Sequence, residues 1–380
     1  MRIDLDHNAT TRVDARAVRV MLAALGEAHG NPSSIHLEGR RSRDLVERAR
    51  VAVAALVGAG GDVVFTSGGT EADVLGVVGG ARAARAAGRP ARVVTSPLEH
   101  PAVKGAVAAL AAEGFEVVEV PVDGVGRIAV EDVARALEGG AALATFALAN
   151  HELGNVYDVA AFAAAARAAG ALVHCDAVQA AGKLSLEGLG ADLVAISAHK
   201  IHGPKGAGAL WVRRGVDVAP LHGAGHQERG LRPGTENVAG IAGFAEAARL
   251  ARDEGPAAWE RMAALRDRLE DAAVQAGARV HGDRARRVVN TSNLAFEGVP
   301  GDLLVQALDL EGVSASTGAA CTSGTVEPSP VVRALGVPRE RAGEAVRFSL
   351  GRDTTSEEID RVAAMLPRLV DRIRTALRSP

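Results

Sequence analysis

The sequence predicts an α/β protein in which a large region with a mainly parallel, doubly wound sheet is followed by a smaller α+β region. At 380 residues, the chain is long enough for two domains. From about residue 63 to residue 212, short apolar runs alternate with stretches of helical pattern, which is typical of a parallel sheet flanked by helices. Beyond that region, long helical stretches lead into a mixture of strands and helices.

The predicted strands and helices can be placed in chain order. The strands of the large sheet are DVVFT, RVVTS, FEVVEV, ALATFAL, ALVHC, DLVAIS and GALWV. Two helices are predicted at 236–255 and 256–276, followed by strands at 288–296 and 345–350. The segment from Ser356 begins with an N-cap and an acidic first turn, so it is predicted to form a carboxyl-terminal helix.

Composition excludes several classes of protein. Hydrophobic residues make up 48% of the chain and the net charge is −3, which argues against a nucleic-acid-binding surface and against a disordered chain. Two cysteines cannot build a disulfide framework and suit a reducing compartment. The amino terminus lacks an apolar signal core, and no apolar run is long enough to span a bilayer. We therefore expect a cytoplasmic protein without membrane contact.

Lys200 is the first candidate site residue, in the stretch SAHKIHGPKG. The strand DLVAIS directly precedes that stretch and would deliver Lys200 at its carboxyl end, into a cleft. A partly desolvated lysine with cationic neighbours has a lowered pKa, which Schiff-base chemistry requires. His199, His202 and Lys205 are such neighbours. The alternative is a surface turn that happens to be rich in basic residues.

Asp176 is the second candidate, because it interrupts the apolar run LVHC where a strand should end. A carboxylate at this place could keep the pyridine nitrogen of pyridoxal phosphate protonated. The alternative is that Asp176 caps the following helix.

The segment VVFTSGGTEAD from Val63 has the form of a phosphate cradle, a strand followed by glycines and a helix start. Backbone N–H groups near Gly69 and the Thr70 hydroxyl would favour a bound dianion. Such turns are common in α/β proteins, so this segment alone is a weak signal. A cradle, an acid and a lysine after three successive strands are unlikely to coincide by accident.

These residues resemble the cysteine desulfurases of the NifS and IscS kind, within the fold-type I, class-V aminotransferase-like enzymes. The resemblance extends from Leu5 to the segment at Arg347. The matching motifs occur in family order and are GNPSSIH, TSGGTEAD, EHPAV, HCDAVQ, SAHKIHGPKG, RGLRPGTENV and TGAACTSG. The segment around Cys321 narrows the resemblance to desulfurases.

The resemblance implies a fold-type I transferase that uses pyridoxal 5'-phosphate to convert L-cysteine to L-alanine. Lys200 would be the general base and Asp176 the partner of the ring nitrogen. His100 would stack on the ring and help to move protons, although a histidine before Pro101 could simply start a helix. Cys321 would take the sulfur as a persulfide and pass it to an acceptor protein.

The resemblance also implies further contacts. The phosphate would be bound by Gly69, Thr70, Ser197 and His199, and Gln179 would lie beside the ring hydroxyl. The substrate contacts would be Asn31, Asn150 and Arg347, with Arg347 clamping the carboxylate. Thr235 would reach the cofactor across a subunit interface, which implies a homodimer.

Cys321 lies among small polar residues with no apolar periodicity, which predicts a mobile loop. A lone cysteine is usually an inert, buried hydrophobe. Its polar surroundings favour a reactive cysteine even without the resemblance. The spacing to the next helix resembles the longer-loop, IscS-like group, in which the loop can carry sulfur to an acceptor. Cys175, inside an apolar strand, is interpreted as a core residue.

The chain departs from the family pattern at His151, where an asparagine usually contacts the ring hydroxyl. Histidine is bulkier and can titrate, so the cofactor's electronics and the substrate range could differ. The segment from His222 also differs in detail. His222 and His226 are close in sequence, but without further matched ligands no metal site is expected.

The family also suggests a division of the chain and leaves the pathway open. A large cofactor-binding domain is expected at 15–255, and a small domain carrying the Cys321 loop at 1–14 and 256–380. Alternatives to a desulfurase are another pyridoxal phosphate enzyme, such as a selenocysteine lyase, a β-eliminating lyase or an aminotransferase, and a non-catalytic sulfur-relay scaffold. The resemblance leaves open acceptors in iron–sulfur cluster biosynthesis, in tRNA thiolation, in DNA phosphorothioation and in thio-cofactor or natural-product pathways.

Overall fold

A computed structural model of the chain describes residues 2–223, 225–318 and 327–378. Its strands are β1 (Ile3–Asp4), β2 (Gly61–Thr66), β3 (Arg92–Thr95), β4 (Glu116–Glu119), β5 (Leu143–Ala147), β6 (Leu172–Asp176), β7 (Leu193–Ser197), β8 (Gly208–Arg213), β9 (Ala278–His281), β10 (Thr291–Phe296), β11 (Val313–Ser314) and β12 (Ala345–Ser349). Its α-helices are α1 (Ala15–Glu27), α2 (Leu37–Val57), α3 (Gly69–Val74), α4 (Gly80–Ala86), α5 (Pro101–Ala112), α6 (Val130–Ala136), α7 (Val159–Ala168), α8 (Val238–Gln275), α9 (Gly301–Leu310), α10 (Pro330–Ala334), α11 (Arg339–Ala342) and α12 (Ser356–Arg378). A π-helical turn at Leu75–Gly79 joins α3 to α4, and short 3₁₀ helices lie at Ala198–Lys200 and Gln227–Gly230.

The main sheet has seven strands in the order β2-β8-β7-β6-β5-β3-β4. Strand β8 runs antiparallel to both of its neighbours, whereas the pairs from β7 to β4 are parallel. The predicted mainly parallel α/β sheet is therefore confirmed. Each strand predicted for this sheet overlaps an observed one.

Strands β5, β6 and β7 are buried at every residue because helices cover both faces of the sheet. Alternate side chains of β7 enter different hydrophobic clusters. Val194 and Ile196 belong to one cluster, whereas Leu193 and Ala195 belong to another. This two-sided burial explains why the strands are mainly apolar rather than alternating between apolar and polar residues. It also leaves their carboxyl ends as the edge at which polar side chains can gather.

A third hydrophobic cluster lies in the smaller region. It joins Ile3 and Leu5 at the amino terminus to apolar residues of α9, α12 and a three-stranded antiparallel sheet in the order β12-β10-β9. Strand β1 pairs in parallel with β11, which ties the amino terminus to this region. The domain limits at 14/15 and 255/256 stay a prediction, which the separate packing of this cluster supports.

The two helices predicted at 236–255 and 256–276 form one continuous helix, α8, although Pro256 lies inside it. A proline in a helix interior removes one backbone hydrogen bond and costs about 3 kcal/mol. Packing on either side compensates here, since α8 is buried at Leu250 before the proline and at Met262 after it, and the Trp259 indole donates to the Gly182 carbonyl at 2.9 Å. In the part of the chain that the structure describes, no helix is both long and apolar enough to cross a membrane.

A buried ion pair links α8 to the segment that precedes β10. Arg287 binds the Glu270 carboxylate through two nitrogens, at 2.5 and 2.7 Å, and Ser292 donates to it at 2.6 Å. Both partners are almost fully buried, with side-chain exposures of 3% and 0%. Although burial pushes the pKa of Glu270 upwards, the hydrogen bonds from Arg287 and Ser292 outweigh it and leave that pKa lowered.

The variant Arg287→Met is expected to lower the free energy of unfolding by about 3 kcal/mol, since it leaves a buried carboxylate without its main partner. Arg284→Met is the matched control. Arg284 also contacts Glu270, at 2.7 Å, but its side chain is 52% exposed, so its loss should cost less than about 1 kcal/mol. Chemical denaturation followed by circular dichroism measures both. Equal losses in the two variants would contradict this account.

Candidate active site

A cavity of about 610 Å³ opens at the carboxyl ends of β6 and β7. Nine of the residues predicted for the site line it, and they are Gly69, Thr70, His100, His151, Asp176, Gln179, Ser197, His199 and Lys200. They come from segments that are distant in sequence, and the sheet order places those segments side by side. This position follows the rule that ligands of open parallel sheets bind beyond the carboxyl ends of the strands.

Lys200 ends the short 3₁₀ helix that follows β7. Its Nζ atom donates to the backbone carbonyls of Asn8 and Ala9, the latter at 2.9 Å. Burial, with the nearby positive charge of Arg347 next in size, lowers the pKa of Lys200 to about 8, although Asp176 opposes the shift. A substantial fraction of this amine is therefore neutral near pH 8. Lys200 is thus not part of a solvent-exposed basic turn.

Asp176 is the last residue of β6 and is only 7% exposed. Its Oδ1 atom accepts a hydrogen bond from the Val178 backbone at 2.9 Å, so it also caps the turn that follows. Burial raises the pKa of Asp176, against the opposing influence of His100 and Lys200. Two further buried carboxyl groups, Asp73 and Glu99, interact with it, and burial raises the pKa of Glu99 to about 8. A cationic group in the cavity would stabilise the ionised form of Asp176.

The opposite end of the cavity has the features of an anion cradle. The Ser197 hydroxyl is buried and lacks a hydrogen-bond partner, although the residue lines the cavity. Gly69 allows the start of α3 to lie close to the Val178 side chain, because a Cβ atom at residue 69 would lie only 2.8 Å from Val178 Cγ2. One backbone donor is already in use, since Ser67 N–H donates to Glu71 at 2.6 Å.

His100 and His151 meet edge to face, with ring centroids 5.1 Å apart and planes at 77°. His100 Nδ1 accepts from the Ala102 backbone at 3.1 Å and caps α5, so the helix-start interpretation is correct as well. Burial lowers the pKa of His100 despite the opposing charge of Asp176. Burial also lowers the pKa of His151 well below its usual range. Both rings are therefore neutral at physiological pH, and each can accept a proton only at a free-energy cost.

Asn150 does not line the cavity. It is fully buried, its amide nitrogen donates to the Leu98 carbonyl at 2.9 Å, and its Oδ1 atom accepts from the backbones of Glu152 and Leu153. Since both polar atoms of this side chain are occupied by backbone groups, the geometry gives no support to the predicted substrate contact. Instead, Asn150 holds the turn that places His151 in the cavity wall.

Arg347, on β12, lies behind the His151 wall. Its guanidinium group donates to the His151 carbonyl at 2.9 Å and to Asp6 at 2.8 Å, and its Nε atom is buried without a partner. Asn31 and Thr235 are exposed and do not line the cavity of their own chain. The substrate roles of Arg347 and Asn31 and the cross-subunit role of Thr235 stay predictions.

Cys321 lies outside the described residues. The residues that flank its segment can nevertheless be placed, because Gly318 packs against the Glu152 carboxylate and the Ser329 hydroxyl donates to the same carboxylate at 2.5 Å. Glu152 is 2% exposed, and burial raises its pKa to about 7. Both flanks of the segment therefore lie next to the residue that follows His151.

The amino-terminal segment also lines the cavity, which was not predicted from the sequence. Ala9 and Thr10 line the cavity, and the Thr10 hydroxyl lies 3.2 Å from His199 Nδ1. The signal that could have revealed them is the small polar run HNATT, which follows a short apolar start. The position of this run relative to the strand ends depends on tertiary contacts, and such contacts have no local sequence signal.

The model of the aminotransferase class-V family matches residues 3–362 of the chain. The chain belongs to this family. It is 46% identical to a cysteine desulfurase of Cereibacter sphaeroides, over 98% of this chain and 97% of that protein. It is 42% identical to the cysteine desulfurase NifS of Azotobacter vinelandii, over 97% of this chain and 93% of that protein. A solved NifS-like protein superposes with a TM-score of 0.90 at 34% identity, covering 98% of this chain and all of that one.

Class-V aminotransferases depend on pyridoxal phosphate, and the residues of this cavity fit that cofactor. The unpartnered Ser197 hydroxyl and the glycine turn suit its phosphate, and the buried Asp176 suits a protonated ring nitrogen. Lys200 is a buried amine with a lowered pKa, as attachment of an aldehyde requires. The fold-type I architecture predicted from the sequence is likewise confirmed by the family match and by the NifS-like structure.

Proposed function

We propose that this protein is a cysteine desulfurase, which converts L-cysteine to L-alanine with pyridoxal 5'-phosphate and takes up the sulfur on Cys321. The observation that carries the proposal is Lys200, a buried amine with a pKa of about 8, in one cavity with Asp176 and His100. The identity to cysteine desulfurases over nearly the full chain supports the choice of substrate.

When bound, pyridoxal phosphate withdraws electrons from the substrate α-carbon. Asp176 holds the proton on the ring nitrogen that this withdrawal needs. Ser197, His199 and the turn at Gly69 would hold the phosphate, and the neutral His100 ring would contact the cofactor ring. Lys200, once released by the substrate amine, takes the α-proton at Nζ, because its lowered pKa makes the neutral amine available.

Sulfur transfer is assigned to the Cys321 thiolate. It attacks the substrate sulfur, a sulfur–sulfur bond forms, and the carbon–sulfur bond breaks with its electron pair left on the β-carbon. Protonation of that carbon and return of the α-proton from Lys200 to the α-carbon give alanine, and Cys321 carries the persulfide, so no external oxidant or reductant is needed. The thiolate is the competent nucleophile, so a proton must first leave the thiol. We assign this proton to His100, which lines the same cavity and would take it at a free-energy cost, because burial lowers its pKa and its Nδ1 atom already accepts from the Ala102 backbone.

Several finer proposals accompany this function. Thr235 is exposed and lies outside the cavity of its own chain, which supports a homodimer in which it completes the partner's site. The persulfide would pass to an acceptor protein, in iron–sulfur cluster biosynthesis or in tRNA thiolation. A cytoplasmic location agrees with a reactive cysteine and no disulfide framework.

The test is to add L-cysteine to the purified, cofactor-loaded protein without reductant and to follow both products. Amino-acid analysis measures alanine, and peptide mass spectrometry locates added sulfur. We expect alanine together with one extra sulfur on the Cys321 peptide. Alanine without that adduct would favour a direct lyase, in which no cysteine side chain of the protein takes up the sulfur. Failure to form alanine would exclude the proposal and favour a different amino-acid substrate or a scaffold.

A further inference from the structure

Lys183 is a buried lysine with no role in the chemistry described so far. It ends the turn that follows β6 and is 7% exposed. Gly182, which precedes it, has a φ of +71°, a conformation that favours glycine. Burial, with the charges of Lys200 and Arg347 next, lowers the pKa of Lys183 to about 7. A buried amine with so little solvent contact needs specific partners.

Those partners belong to Gln179. Lys183 Nζ donates to the Gln179 backbone carbonyl at 3.0 Å and to its side-chain Oε1 at 3.3 Å. Because Lys183 Nζ is a hydrogen-bond donor, it pairs with the amide oxygen of Gln179, and the amide nitrogen faces away from Lys183. That nitrogen donates to the Asn8 backbone carbonyl at 2.9 Å. The Gln179 side chain therefore accepts from Lys183 through its oxygen and donates to the amino-terminal segment through its nitrogen.

The Asn8 carbonyl is also the acceptor for Lys200 Nζ. Two hydrogen-bond donors, from Gln179 and from Lys200, thus share one oxygen, and Asn8 itself is only 2% exposed. The chain of contacts runs from Lys183 through Gln179 and Asn8 to Lys200. Both lysines line a cavity of about 50 Å³, together with His7, His202, Glu254 and Arg352.

We propose that Lys183 is a positioning residue, which orients the Gln179 amide so that its nitrogen fixes the Asn8 carbonyl where the Lys200 amine docks. As a result, the Lys200 amine is held in one place and one orientation whenever it is not bonded to the cofactor. The inference rests on the proposed role of Lys200 in desulfuration. Its test needs no turnover, so the two proposals can fail separately.

The test measures the reactivity of Lys200 in the full chain after removal of cofactor with hydroxylamine. Trace acetylation and peptide mass spectrometry give the labelling rate of each lysine as a function of pH. In the unmodified chain, labelling of Lys200 should rise as the pH rises through about 8, because only the neutral amine reacts. The variants are compared at pH 9, where Lys183 is mainly neutral, so that Lys183→Met removes hydrogen bonds and little charge.

In Lys183→Met, Lys200 is expected to label about fivefold faster at pH 9, the factor for loss of one ordinary hydrogen bond. Gln179→Leu breaks the next link and should give the same increase. The double variant should equal either single one, because both substitutions interrupt one chain of contacts. Lys104→Met is the control, since Lys104 is a half-buried lysine on α5 outside this chain of contacts, and it should leave Lys200 labelling unchanged.

Two results would overturn the proposal. One is unchanged Lys200 labelling in Lys183→Met. The other is a double variant whose factor equals the product of the single factors, which would mean that the two residues act independently. Circular dichroism reports whether each variant folds. If Lys183→Met does not fold, Gln179→Leu decides alone, because unchanged Lys200 labelling in that variant removes the link on which the proposal depends.

Discussion

Replacement of Lys200 by alanine is expected to lower the rate of alanine formation from L-cysteine by about a thousandfold, the middle of the range for loss of a general base. The expectation follows from the position of Nζ. It is held by the carbonyls of Asn8 and Ala9 at the edge of the cavity, and its pKa of about 8 keeps the neutral amine accessible. Among the described residues, no other lysine in the lining of this cavity donates to those carbonyls.

A second readout separates loss of chemistry from loss of cofactor. Borohydride treatment of the loaded chain should fix the cofactor's mass to the Lys200 peptide, and Lys200→Ala should not retain it. Lys205→Ala is the matched variant, because Lys205 lines the same cavity but is exposed. It should weaken cofactor binding while turnover at saturating cofactor stays within about tenfold, since an exposed charge contributes little. A Lys200→Ala enzyme with near-normal turnover would exclude Lys200 as the base.

The main sheet was predictable from sequence because its strands are buried on both faces. Every residue of β5, β6 and β7 is buried, so the three strands are mainly apolar, and the polar Thr145 and His174 inside them bond to each other at 2.9 Å. The short strands β1 and β11 have two residues each and lack such a signal. Their pairing joins residues 3 and 313, which no local pattern can specify.

Helix α8 shows how packing overrides a local signal. Gly255 and Pro256 predict a break, and the sequence was divided there. In the structure, the helix continues across the proline, with buried residues from Phe244 to Leu250 and again from Met262 to Leu269, and the Trp259 indole donates to the Gly182 carbonyl. The stabilisation from this tertiary packing depends on residues far away in sequence. The prediction of two separate helices was therefore wrong, because the local sequence carries no sign of that packing.

The candidate site divides in the same way. Asp176 and Lys200 could be placed because each directly follows an apolar strand, and strand ends meet at one edge of a parallel sheet. Asn150 differs, since a motif residue beside the cavity can support the backbone instead of touching a ligand. Lys200 and Asn8 are 192 residues apart in sequence, so their contact could not be predicted from a local pattern.

Replacement of Cys321 by alanine is expected to abolish persulfide formation and to reduce alanine formation from L-cysteine to below about one hundredth of the original rate. Sulfur must leave the substrate as an electrophile accepted by a thiolate, and the sequence has two cysteines, Cys175 and Cys321. Cys175 lies in β6 with an exposure of 0%, and burial raises the pKa of its thiol well above the usual range. It therefore cannot substitute as the nucleophile.

The matched control is Cys175→Ala, which leaves Cys321 as the only cysteine of the chain. That variant should lose about 1 kcal/mol of stability from a small cavity in the sheet and should still carry one added sulfur, on the Cys321 peptide. Peptide mass spectrometry after a single addition of L-cysteine compares the two variants directly. If Cys321→Ala forms alanine and free sulfide at the original rate, sulfur leaves without a protein nucleophile, and the enzyme is a direct lyase. If sulfur instead appears on Cys175, the sheet around β6 must open during turnover, because a thiol buried to this extent cannot otherwise reach the substrate.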